Sequence, residues 1–155
     1  MNAVQLAVNT LQPILLKTLN NLIEHSKPRP LFGVSYDLHQ AAIKLQAEFQ
    51  KVTQDISTAN FDEFCYAGLD FTEEYKKLKL LSRIQKSQLA KDMVADLEKD
   101  EVALHNYVGA FILLVGTLNN DSKINSSARH APQAWKDTAN GLIYIASLTC
   151  KRLAL

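Results

Sequence analysis

Seven apolar residues, Leu38, Ala42, Leu45, Phe49, Val52, Ile56 and Ala59, follow one another at uninterrupted steps of four and three. Only a helix keeps such a set on one face; a strand would throw its members to both sides of a sheet. A seven-residue repeat of this length also predicts helices packed side by side at a shallow crossing angle. Gln40, Lys44, Lys51, Gln54 and Asp55 fall on the other face and are expected to be wet.

The same spacing recurs along the chain. Val4, Ala7, Val8, Leu11, Ile14, Leu15, Leu19 and Leu22 form one stripe, Leu104, Val108, Phe111, Val115 and Leu118 a second. Trp135, Ala139, Leu142, Ala146, Thr149 and Leu153 form a third. Five glycines and four prolines are too few for a turn-rich β-sandwich, and 47% hydrophobic content excludes wholesale disorder. The expectation is an all-α fold: an antiparallel four-helix bundle, with a fifth helix if the long third segment divides. It should form one domain over residues 1–155, and a chain of this length buries roughly 68–70% of its surface without disulfide or metal.

Boundaries follow from local chemistry. Pro13 predicts a kink in the first helix, or a helix that begins near Gln12. Ser26-Lys27-Pro28-Arg29-Pro30 and Gly33 make a linker, after which Ser35 is the expected N-cap and Asp37 suits the positive first turn. Residues 60–69 are expected to form a short aromatic-rich helical turn ending at Gly68, and Asp70 with Glu73 a capping box that opens the third helix. From Phe71 to Leu118 no proline intervenes, and an unbroken helix there would be about 70 Å long. A break is therefore expected, and the charged Glu98-Lys99-Asp100-Glu101 is its assigned place. Asn119–Ser127 reads as a loop, Pro132 as the first turn of the last helix, and Lys151 and Arg152 as complements to its negative end.

Charge and cysteine content narrow the function classes. Seventeen basic against sixteen acidic residues argue against a general nucleic-acid binder. Cys65 and Cys150 make no disulfide framework and no C-x-x-C site. Met1–Leu19 lacks a basic leader, and the apolar run 107–115 falls short of the ~20 residues that span a bilayer. The expected location is the cytoplasm, or a host cell's interior for a secreted effector. Phosphate-loop, dinucleotide, zinc-protease and nucleophile-elbow motifs do not occur. The reading is accordingly non-enzymatic, with no cofactor and no metal.

Two features could carry binding. Between Tyr75 and Lys91 stand six basic residues and no acid, and Lys76, Lys79, Arg83 and Lys86 step at helical spacing into one basic stripe. Such a stripe suits acidic lipid headgroups, a partner's acidic helix or phosphates; an ordinary solvated face is the competing reading. Gly109 and Gly116 lie seven apart in the most apolar segment, where each costs ~1 kcal/mol against alanine. Close approach of a neighbouring backbone would repay that, with Trp135 or Phe49 as candidates, and a slot for a small ligand or lipid tail is the alternative.

His105 followed by Gly109 resembles the spacing in histidine phosphotransfer domains, which are also four-helix bundles. The resemblance covers these two residues, and Val108 stands where such domains place a lysine. It implies a phosphorylatable His105 deprived of its cation. Glu101 and His105 are i,i+4 neighbours, but the second Glu-x-x-His pair of a di-iron bundle is missing. Cys65, among Phe61, Phe64 and Tyr66, reads as a small buried hydrophobe.

The functional expectation is a helical protein-interaction module, an adaptor, regulator or effector that offers a helix face or inter-helix groove to a helical or acidic partner. The runner-up is peripheral binding to an anionic membrane through Lys76, Lys79, Arg83 and Lys86. The heptads would serve a homodimer equally well, and no nucleic-acid partner is expected.

Overall fold

Short connections force consecutive helices to lie side by side, and in the computed structural model they do. α1 (Ala3–His25), α2 (Val34–Gln54), α3 (Thr58–Ile84) and α4 (Gln88–Asn119) make an antiparallel bundle. A further helical stretch, α5, covers 133–139. The structure describes residues 3–55, 57–119, 131–139 and 141, with side chains from residue 9 to 114 and from 131 onward within those ranges. Val4, Ala7, Val8, Ile56, Val115, Gly116, Leu118, residues 120–127 of the loop expected at Asn119–Ser127 and the stripe beyond Ala139 lie outside the described residues or side chains, and Asn119 itself closes α4. All regular structure among the described residues is helical.

α2 packs mainly on α3 and α1 mainly on α4. Leu38, Ala42, Leu45, Phe49 and Val52 are all buried, so the stripe as far as Val52 is the inner face of α2; α2 ends at Gln54, and Ala59 is instead an exposed residue of α3. Leu15, Leu19 and Leu22 of α1 and Leu104, Val108 and Phe111 of α4 close the same core. One half of the core is aromatic. Phe49 packs on Phe64 and Phe111 with ring centroids 5.7 and 5.4 Å apart, and Phe64 packs on Trp135 at 5.2 Å. The other half is mostly aliphatic, built from Leu31, Leu78, Ala90, Met93 and Leu97, with the stacked Phe71 and Tyr75 beside them.

Several boundaries differ from the sequence reading. α1 runs through Pro13 rather than starting at Gln12. The proline is exposed, on the side where solvent compensates a lost backbone bond without disturbing Leu15 and Leu19. α2 starts at Val34 behind a left-handed Gly33 (φ 80°), so Ser35 is not its N-cap. Buried Ser35 instead turns back to the linker: its Oγ accepts the Arg29 N–H at 2.8 Å and donates to the Arg29 carbonyl at 2.6 Å. α3 opens at Ser57, whose side chain accepts the Asn60 N–H, and not at Asp70. It passes straight through Gly68, which is no break but a contact. A Cβ there would lie 2.3 Å from Trp135 Cη2.

The break in the long segment falls at 85–87, not at 98–101. Lys86 takes a left-handed φ of 51°, and Ser87 caps α4 by accepting the Ala90 N–H at 3.2 Å. The charged stretch stays helical, and two of its members face partners. Buried Asp100 meets His25 Nδ1 at 2.8 Å, and Glu101 meets His105 Nε2 at 2.9 Å.

These contacts set the heights of the helices. His25 ends α1 level with Asp100, so residues 88–99 of α4 continue about 18 Å further. Lys44 meets Asp70 at 4.0 Å, which sets Asp37 in the first turn of α2 level with Lys77, so residues 78–84 rise about 10 Å past that turn. The α3–α4 hairpin therefore overtops the bundle. The 26–33 linker leans on its flank through buried Leu31 and an Arg29–Asp96 ion pair of 2.7 Å.

Candidate functional site

The overtopping tip holds Lys79, Arg83 and Lys86, with Lys76 just below it. Lys76 is exposed and pairs with Glu73 at 3.4 Å; its neighbour Lys77 pairs with Glu74 at 3.0 Å. That hydrogen bond and charge raise the Lys77 pKa above the ordinary lysine value. Lys79 lies over the Tyr75 ring, 4.7 Å from its centroid, in cation–π geometry. Burial, followed by the charges of Glu101 and Glu98, raises the Tyr75 phenol well above its usual range. Arg83 and Lys86 are exposed and form no ion pair with the described residues. Lys86 lies beyond the end of α3, in the turn, so the basic stripe continues off the helix onto the tip instead of along one face.

The tip also carries apolar side chains that face water. Leu80 is 47% exposed and Ile84 73%, one helical turn apart on the side of α3 away from buried Leu78 and Ser82. Leu89, in the first turn of α4, is exposed as well. The reading of the sequence passed over Leu80 and Ile84. A helical wheel anchored on Phe71, Tyr75 and Leu78 would have found them, since both fall opposite those positions.

The α1–α2 linker belongs to the same end of an antiparallel bundle. It presents Phe32, 91% exposed with a left-handed φ of 54°, and then exposed Tyr36 in the first turn of α2. Phe32 and Lys86 are the two non-glycine residues with positive φ among those described, and one stands in each connection at this end. Such a conformation costs a non-glycine residue roughly 1–3 kcal/mol.

No protein-family model, curated protein or solved structure matches this chain.

The remaining candidates are placed elsewhere. Beside Gly109, where a Cβ would stand 2.7 Å from Thr138 Cβ and 3.1 Å from the Ala139 amide, α5 fills the space. Its neighbour in that space is thus α5, through Thr138 and Ala139, while Trp135 docks on Gly68. His105, the phosphotransfer-like histidine, is mostly buried with Nε2 held by Glu101, and Val108 is fully buried. His25 is engaged by Asp100, and His39 Nδ1 by Ser26 Oγ at 3.2 Å. Among the described residues, no three His, Cys, Asp or Glu converge as metal ligands. Cys65 is buried, and burial with the nearby charge of Asp62 pushes its thiol up to about 12, the opposite of an activated nucleophile.

Two shallow grooves run between helices. One of about 340 Å³ between α2 and α3 is lined by Asp37, Asp70, Glu73 and Glu74 around Lys44. One of about 290 Å³ between α1 and α2 is uncharged, with Pro13, Leu16 and Phe49 in its walls. No described helix is long and apolar enough to cross a membrane.

Proposed function

We propose that this bundle is a docking module whose binding element is the α3–α4 tip, and that it takes an anionic, amphipathic partner. The observation that carries the reading is Ile84, 73% exposed and next to Arg83 and Lys86, neither of which has an acidic partner among the described residues. Apolar surface alone would be an aggregation liability, and charge alone an ordinary solvated face. Together on one projection they suit a surface that is both anionic and able to bury apolar side chains. The helix face is favoured over the inter-helix groove as the binding element, because four carboxylates line the charged groove and would repel the same partner.

The test is a fourfold charge reversal of Lys76, Lys79, Arg83 and Lys86 to Glu, set against reversal of the exposed Lys17 and Lys99. Binding is measured to an acidic amphipathic helical peptide and to anionic vesicles at low and high salt. The tip reversal is expected to abolish binding and the control reversal to leave it intact, with wild-type binding weakened by salt. Wild-type protein that binds neither probe, or tip-reversed protein that binds as well as wild type, would overturn the reading.

A further inference from the structure

We infer that the anionic partner is a lipid bilayer, gripped at two points: the α3–α4 tip through Ile84 and the α1–α2 linker through Phe32. The inference rests on the docking function proposed above and adds the class of surface and a second contact.

Shape favours a bilayer over a protein groove-filler. The exposed apolar residues stand on a projecting hairpin and a linker beside it, and the two grooves between the described helices are lined by other residues. Side chains on such projections reach into the headgroup and acyl boundary, where amphipathic surfaces bury their apolar atoms ~5–10 Å deep. The charge fits the same target. Lys79, Arg83, Lys86 and Lys91 occupy residues 79–91 with no acid among them. Long basic side chains lay their stems along apolar surface and keep their heads at the phosphate level. The nearest acids are already engaged: Asp92 by Gln88 at 2.8 Å, and Asp96 by Arg29.

Phe32 is the part of the inference that charge alone does not suggest. It is the most exposed large apolar residue of the described chain, and a strained backbone holds it there. Neighbouring Leu31 is buried and Ser35 clamps Arg29, so the linker that presents Phe32 is anchored on both sides. An anchored loop offering one aromatic side chain pays little ordering entropy on insertion.

The experiment uses the full chain with two single tryptophan probes, Phe32→Trp and Ile84→Trp. Both sites are exposed, so neither change strains the fold, and buried Trp135 supplies a constant background. Vesicles of phosphatidylcholine alone, or with a third phosphatidylserine, carry brominated acyl chains as contact quenchers. With phosphatidylserine present, both probes are expected to shift to the blue and be quenched; with phosphatidylcholine alone, neither. Arg83→Gln with Lys86→Gln is expected to cut partitioning roughly thirty-fold, about five-fold for each charge removed at an anionic surface. Phe32→Ser should cut it by about five-fold or more, the transfer of an aromatic side chain being lost.

The outcomes separate this inference from the reading beneath it. Binding of the acidic peptide without vesicle binding overturns the bilayer and leaves the docking tip standing. Vesicle binding in which only the Ile84→Trp probe is quenched overturns the second contact. Failure to bind vesicles or peptide overturns both.

Discussion

Around Gly68 and Gly109 the chain fills its own hollows with α5, whereas at the α3–α4 tip it leaves Leu80 and Ile84 uncovered. The materials of the two regions differ as much as their exposure. The filled half is held by Phe49, Phe64, Phe111 and Trp135 in a chain of ring contacts, while the half beneath the tip has mainly small and aliphatic side chains above the Phe71–Tyr75 stack, and a lysine-rich rim. Aromatic rings bring large area and low conformational freedom, which suits a region that must close. A rim of long basic chains keeps apolar neighbours solvated until something anionic arrives. The contrast implies that stability and docking reside in different halves, and each half can be perturbed alone.

The largest effect is expected in the filled half. Trp135 is 1% exposed, wedged against Phe64 and the floor at Gly68. Trp135→Ala should cost about 3–5 kcal/mol in urea unfolding followed by circular dichroism. A loss below about 1 kcal/mol would mean that α5 is not part of the cooperative core. Gly68→Ala comes next. Alanine gains about 1 kcal/mol of helix propensity, but its methyl would meet an indole ring, and overpacking costs about 1–3 kcal/mol. The net expectation is a loss of up to about 2 kcal/mol. Gly141→Ala, where no atom of the described residues lies within 4 Å, provides the comparison and should not destabilise.

These positions also show why the sequence was only partly readable. The α2 stripe was legible because periodicity is local: Leu38 to Val52 carry their own answer. Gly68 was taken for a helix end because its reason for being glycine, Trp135, comes far later in the chain. Glu98–Glu101 was taken for a break because a run of charges looks like surface, and the partner of Asp100 is His25 in the first helix. The true turn, Gln85-Lys86-Ser87, contains neither glycine nor proline, and a left-handed lysine leaves no compositional trace. Of the candidate site, the charges were legible. The water-facing Leu80 and Ile84 were legible in principle by helical wheel, but Phe32 was not, since exposure of a linker residue depends on what the linker leans against.

The filled half also carries a pH signature. Folded Cys65 keeps its proton up to about 12, whereas the thiol of an unfolded chain gives it up near 9. Between those values the unfolded state is favoured by proton release, so the stabilisation is complete below pH 9 and drains away as pH rises toward 12. The expected slope from this group is roughly 1.4 kcal/mol for each pH unit in that window. Tyr75, whose pKa is raised in the same direction, adds to the decline at the upper end. Cys65→Ala should flatten the slope of urea stability between pH 9 and 10. An unchanged slope would mean that the thiol is accessible to solvent and the filled half is looser than its packing indicates.

The smallest effect is expected at the tip and linker, and its smallness matters to the comparison. Ile84→Ser removes an apolar side chain that touches mostly water, so unfolding free energy should stay within about 0.5 kcal/mol of wild type. Phe32→Asn goes further, because asparagine tolerates the left-handed backbone that phenylalanine adopts at a cost. It should leave stability unchanged or raise it slightly while removing the aromatic surface offered to a bilayer. A loss above about 1 kcal/mol would instead show that Phe32 holds the linker against the hairpin. Phe32 would then belong to the packed part of the molecule, and the open end would shrink to the α3–α4 tip alone.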